Sequence, residues 1–311
     1  MRFSSTVPSP HKNTPIVDYL SGRFSYLTSL QWREQVVAGN VFCNDVQCST
    51  ETTVHQNDVV ACEVPVVDPE DWQFDYKIVH EDKWLLGIDK PPGLVVHATG
   101  KFMKANLIYH LRFLRQPAFP EASLVNRLDM NTSGVMVIAR SVEMVREMHR
   151  IFAAREVDKT YFALVHGVPD PPIGTIDLPL GKMVESKLPY RYGFEKIDRP
   201  KQAVTHYRLI EQIGDDFSLL ELKPETGRTH QLRIHLAAIG HIIVGEKLYS
   251  MTDDEFIAWK DGFAEREFLL PRHALHCARL RFTHPKTESE VVMEAPLPAD
   301  MNELMAKLKE Q

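Results

Sequence analysis

A polar string at residues 126–134 runs straight into the unbroken apolar run of residues 134–139. No other junction limits the fold as much. The run is short enough for a strand buried on both faces, and too short for an ordinary core helix. The string reads Asn126-Arg127-Leu128-Asp129-Met130-Asn131-Thr132-Ser133-Gly134. It sets a base and an acid two positions apart among hydroxyl and amide side chains. By residue chemistry alone it is either a turn held by local hydrogen bonds or a catalytic loop on a rigid scaffold, and turns are far commoner.

Around that junction the chain reads as one α+β domain from residue 76 to residue 311. Residues 76–79, 84–88, 160–165 and 217–222 are strand-like. Ser141 is placed to cap a helix whose apolar positions Val142, Val145, Met148 and Phe152 have helical spacing. A second helix is predicted over 229–239, ended by Gly240. Few regular βαβ alternations occur, which argues for a mainly antiparallel sheet with flanking helices. Upstream, residues 16–65 read as a separate small module: a helix capped by Ser29, running through Val37 and stopped by Gly39, a hairpin turning at Asn44-Asp45, and a strand from Val59 to Val64. Residues 1–15 are expected to be a flexible leader and residues 66–75 a linker.

Familiar enzyme signatures are missing: there is no G-x-G-x-x-G, no phosphate-binding G-x-x-x-x-G-K, no H-E-x-x-H and no G-x-S-x-G. Cys43, Cys48, Cys62 and Cys277 form no C-x-x-C pair and read as reduced thiols of a cytoplasmic protein. His230, His235, His241, His273 and His276 lack acidic or thiol neighbours at ligand spacing. No metal site is expected, and surface contacts and capping are the jobs assigned to these histidines. The longest apolar runs are too short to cross a bilayer. Net charge is −6, the wrong sign for a nucleic-acid binder, but it is unevenly spread. Residues 16–65 and 250–311 each carry −4, whereas residues 66–249 are neutral. Within that middle, Lys182, Lys187, Arg191, Lys196, Arg199 and Lys201 face only Glu185, Asp198 and Glu195, so local positive potential is expected there.

The string around Asp129 is similar to the active-site motif of the RluA-type RNA pseudouridine synthases. The second block, Thr226-Gly227-Arg228-Thr229-His230-Gln231-Leu232-Arg233-Ile234-His235-Leu236, resembles that family as well. So do Asp89-Lys90-Pro91-Pro92-Gly93, Lys159-Thr160-Tyr161 and Ala274-Leu275-His276 through Phe282, all in family order. Asn126 departs from the histidine common there. The 16–65 module partly resembles an S-four-like RNA-binding domain through Gly39, Val41 and Asn44, with Asn57-Asp58 in place of a Gly-Asp pair.

The resemblance implies a pseudouridine synthase fold: a bisected, mainly antiparallel sheet with a central cleft. Such an enzyme isomerises uridine in structured RNA, ribosomal RNA by preference, with transfer RNA as the alternative. A rival reading is a non-catalytic RNA-binding or assembly protein on the same scaffold. Asp129 would be the catalytic carboxylate, Arg233 its ionic partner and Tyr161 the ring against the base. Arg127 would fill the space left by the extruded base, and Leu280 would either line the base pocket or belong to the core. Arg228, His230 and Gln231 are expected to bind substrate. The reaction breaks and remakes a glycosidic bond without redox change, so no cofactor is expected. A monomer is the expected state.

Overall fold

The computed structural model describes residues 2–9, 13–24, 27–63 and 66–310. Its first unit is a four-stranded antiparallel sheet in the order Arg2–Thr6, Val59–Glu63, Val41–Cys43, Val46–Gln47, with helices Ile16–Arg23 and Ser29–Val37 packed on it. Tyr19, Leu20, Trp32 and Val36 supply the helical side of its core. The hairpin turns at Asn44 and Asp45, whose φ values of 50° and 65° fit the two-residue primed turn expected of Asn-Asp. Asn57 stands at φ 71°. Asparagine tolerates this left-handed conformation, which explains how it replaces glycine there.

Three sequence expectations change here. The anticipated leader is a strand in part: Arg2 to Thr6 pair with Glu63 to Val59, because that inner strand has backbone groups to satisfy on both sides. Residues 10–12 and Val64 lie outside the described residues. Thr28, not Ser29, caps the helix, in a reciprocal box with Gln31. The anticipated linker docks on the larger unit. Val67 N–H donates to the Lys101 carbonyl (2.9 Å), Trp72 meets Phe102 edge-on at 4.9 Å, and Phe74 stacks on His110 at 4.3 Å. These aromatic surfaces gain more by burial than a free tether gains in entropy.

The larger unit is a ten-stranded sheet. Its main path runs Ile173–Asp177, Val204–Ile213, Phe217–Pro224, Asp158–His166, Leu275–Thr283, Ser133–Ala139, Leu85–Lys90, Lys77–Glu81. Neighbours are antiparallel except at one seam, where Ser133–Ala139 meets Leu275–Thr283 in parallel through only two residue pairs. The seam bisects the sheet. One apolar cluster gathers Leu86, Met136, Ile138 and Met148 on one side, and another gathers Leu164, Leu220, Leu236 and Met305 on the other. Tyr161 packs against both.

Helix Val142–Ala153 is capped by Ser141 as expected, but its buried stripe is Met144, Met148 and Ile151, and Val142 is exposed. Helices Gln231–Ala238 and Ala299–Lys309 cover the second half. None of the described helices is long and apolar enough to cross a membrane.

Gly134 makes the seam feasible. Its φ is +108°, and a β-carbon there would stand 2.1 Å from the Cys277 carbonyl oxygen. Both the left-handed backbone and the backbone contact exclude a side chain. Gly134→Ala is therefore expected to cost about 3 kcal/mol or more, from overpacking and backbone strain together. A urea denaturation midpoint close to that of the parent protein would refute this account of the seam.

Candidate active site

The residues entering the seam are tied down one by one. Asn126 Oδ1 accepts from Val137 N–H (2.8 Å), so the asparagine found in place of histidine still anchors the loop. The Met130 carbonyl accepts from Gly93 N–H (2.9 Å) and from the Lys90 ammonium (2.8 Å). Thr132 Oγ1 bonds His273 Nε2 (2.8 Å), and Ser133 Oγ bonds His276 Nδ1 (2.9 Å). Lys90 is fully buried. Burial and the nearby Arg272 push its pKa down to about 7. With strand and loop fixed from both sides, Asp129 is presented at the end of a rigid support.

Arg233 reaches it from the other half of the sheet. Arg233 Nη1 donates to Asp129 Oδ2 at 2.8 Å, although the two lie 104 positions apart. The remaining edge of the guanidinium is held by Glu246, with Nε to Oε2 at 2.6 Å and Nη2 to Oε1 at 2.8 Å. The Tyr249 ring covers the guanidinium at 5.2 Å. Glu246 is completely buried, Arg233 nearly so, and Asp129 remains partly exposed. A two-point carboxylate clamp fixes a planar cation in direction as well as in place.

Burial pushes the Asp129 carboxyl up, and His230, Arg233 and His273 together outweigh it, leaving its pKa below the ordinary range. Burial and Arg233 keep His230 low, and the same two causes hold His273 down to about 3. Both rings are uncharged near neutrality, so Arg233 is the cation that keeps Asp129 ionised there. No described side chain hydrogen-bonds Asp129 Oδ1, and that oxygen is left for the cleft.

The cleft above Asp129 encloses about 880 Å³, and Arg127, Tyr161, Arg228 and His230 are among its lining residues. Arg127 and Arg228 are exposed at its wall, and Arg228 Nε donates to the Gln202 carbonyl (3.1 Å). Tyr161 stands at a β-bulge facing Cys277. Burial, then the Cys277 thiol, raises its pKa well above that of free tyrosine, so it offers a ring and a hydroxyl rather than a phenolate base.

Two expected ligands have other duties. Gln231 faces the inner end of the cavity, but its amide is engaged within the protein. Its Oε1 accepts from Thr226 Oγ1 (2.7 Å) and Arg228 N–H (3.0 Å), while Nε2 donates to the Val204 carbonyl (3.0 Å). Leu280 is fully buried in the first apolar cluster and does not line the cavity, because its strand turns that side chain inward. Leu128, Leu232 and Leu275 are the leucines facing the cavity beside Asp129. The histidines also differ from their assigned surface role. His235, His273 and His276 are buried, and His235 joins Thr205 Oγ1 (2.9 Å) to the Leu178 carbonyl (3.1 Å). His230 caps no helix with its ring. It takes a left-handed backbone (φ 56°) and bonds Tyr249 OH through Nδ1 at 2.7 Å.

Sequence reasoning missed Glu246 and Lys90 as site residues. The readable signal for Glu246 was a charge set directly behind the apolar run Ile242-Ile243-Val244 and Gly245.

A family model for RNA pseudouridylate synthase matches residues 85–238. The ribosomal large subunit pseudouridine synthase D of Xylella fastidiosa is 33% identical, covering 98% of this chain and 92% of its own length. The protein of that description from Pseudomonas aeruginosa is 36% identical over 76% of this chain and 72% of itself. Among solved structures, human RNA pseudouridylate synthase domain containing 1 is similar with a TM-score of 0.55 and 25% identity, covering 76% of this chain and 96% of that one. Fold, motifs and relatives agree on an isomerase that converts uridine in RNA to pseudouridine. The chain belongs to the RluA-type RNA pseudouridine synthase family.

The Glu246 carboxyl sits at about 2: burial raises it, and the hydrogen bonds and charge of Arg233 lower it further than burial lifts it. A depressed carboxylate pKa stabilises the fold above its unfolded value near 4.5. That stabilisation, about 3 kcal/mol, disappears as pH falls from about 4.5 towards 2. Glu246→Gln is expected to lower stability at neutral pH by a similar amount and to flatten its acid dependence. Equal pH slopes for parent and variant in chemical denaturation would contradict the buried clamp.

Proposed function

We propose that this synthase modifies large-subunit ribosomal RNA in the cytoplasm, with Asp129 as its catalytic carboxylate. The supporting observation is the 2.8 Å pairing of Arg233 with Asp129, which keeps a carboxylate ionised and oriented at the floor of a cleft large enough for a nucleotide. The substrate class follows the relatives, which are described as ribosomal large subunit synthases.

The target uridine leaves its stack and enters the cleft. Arg127 stands at the exposed wall where its guanidinium can take the vacated place, offsetting part of the few kcal/mol of lost stacking. Asp129 Oδ1 attacks either the ribose or the base as a nucleophile. The bond between the sugar and N1 breaks, the uracil turns, and the sugar rejoins at the fifth carbon while the bond to Asp129 breaks and frees the carboxylate. The hydrogen at that carbon leaves as a proton and N1 gains one, so atoms and electrons balance without a cofactor. Tyr161 lends its ring face to the base and its hydroxyl to the proton path. Arg233 orients Asp129, while Arg228 and His230 border the entering nucleotide.

Carbodiimide-based mapping of pseudouridine in total RNA tests this reading. Cells carrying only Asp129→Ala should lose one or a few signals in large-subunit ribosomal RNA. An unaltered map overturns the assignment, and signals lost from transfer RNA alone redirect the substrate. In the purified enzyme the acidic limb of kcat should lie below the ordinary carboxylate range, because Asp129 is depressed. Arg233→Leu removes the charge opposing burial, so the limb should move to higher pH. A limb that stays in place argues against the pairing.

A further inference from the structure

The basic stretch at residues 182–201 divides into two kinds of cation once folded. Lys187 pairs with Asp254 at 2.5 Å, Arg191 with Asp253 at 2.5 Å and Lys196 with Glu185 at 2.5 Å. Their charge is locally cancelled. Lys182 and Lys201 have no ion-pair partner among the described residues, and Arg199 has only its exposed neighbour Asp198 at 3.8 Å. These three belong to one small sheet, Leu180–Met183 flanked by Tyr192–Gly193 and Ile197–Lys201. With Arg228 they line a groove of about 340 Å³ that holds one carboxylate, Asp198.

The groove adjoins the catalytic cleft, since Gly227, Arg228 and Thr229 line both. Its seat is rigid. Leu180 and Ala203 pack on Ile234, one residue from Arg233, and Gly181 lets two strands close so tightly that a β-carbon would stand 2.6 Å from the Asp198 carbonyl. Four exposed cations against one acid, in a chain of net charge −6, concentrate positive potential at the cleft mouth. Apart from Tyr192 the groove has no aromatic lining, so it suits a charged backbone better than a base.

We propose that this groove holds the phosphodiester backbone of the RNA strand leaving the cleft, with Lys182, Arg199 and Lys201 as phosphate contacts. This rests on the reading that RNA enters the cleft over Asp129. The contacts are electrostatic and sequence-independent, so they set affinity and strand direction while the cleft selects the nucleotide.

The test uses full-length Asp129→Ala protein, so that no uridine is converted, and fluorescent polyuridylate as the probe. Binding is measured by anisotropy between about 50 and 200 mM salt. Adding Lys182→Gln and Lys201→Gln should weaken binding about tenfold and reduce the slope of log affinity against log salt by about 1.4, at ~0.7 per single-strand phosphate. The control pair Lys187→Gln and Lys196→Gln removes the same formal charge from paired positions and should leave the slope in place. An unchanged slope in the first pair, or equal losses in both pairs, overturns the groove. Product made by Asp129→Ala would instead overturn the catalytic reading, and this binding comparison does not depend on turnover.

Discussion

The forked contact of Arg233 with Asp129 and Glu246 is the interaction on which the rest of the site depends. One guanidinium edge is held by the buried Glu246 carboxylate and the other is offered to Asp129. A lysine could carry the charge but not the direction, because an ammonium lacks the planar fork. The pair also crosses the seam of the sheet. Asp129 belongs to the half built on Leu86 and Met136, and Arg233 to the half built on Leu220 and Leu236. The two cores must therefore dock in one relation for the carboxylate to be aimed at all.

That relation is secured by polar contacts, uncharged at two histidines and ionic at Arg272. His273 and His276 are buried neutral rings, and each receives a hydroxyl-bearing residue of the loop that carries Asp129, Thr132 and Ser133. The Arg272 guanidinium clamps Asp300 through Nε at 2.7 Å and Nη2 at 2.8 Å, and its Nη1 donates to the His273 carbonyl at 3.0 Å. Such hydrogen bonds are directional, and they are costly to break where no water can substitute. Leaving His230 and His273 uncharged also keeps Arg233 as the cation that faces Asp129, so the carboxylate is ionised without being neutralised by several partners.

Much of this was legible in the chain. The apolar run behind Gly134, the strands near residues 160 and 217 and the helix after Ser141 follow from periodicity and capping, which are local properties. The motifs around Asp129 and Arg233 named the two charged residues. Periodicity and the family resemblance did less well where a side chain answers to tertiary neighbours. Val142 has helical spacing yet faces solvent, Leu280 lies in the core and not at the pocket, and Gln231 braces its own loop. Residues 2–6 joined a sheet because a distant strand had an open edge, which their own composition does not disclose.

By itself the sequence determined the class of fold, the loop that carries the carboxylate and the family to which the chain belongs, since each is written in spacing or in contiguous motifs. Only the tertiary structure decided which charges meet. It placed Arg233 on Asp129 across 104 positions, buried Glu246 behind it, and separated the cancelled cations at 187, 191 and 196 from the open ones at 182 and 201. The physical reason is that electrostatic energy depends on distance and burial in space, and neither scales with separation along the chain.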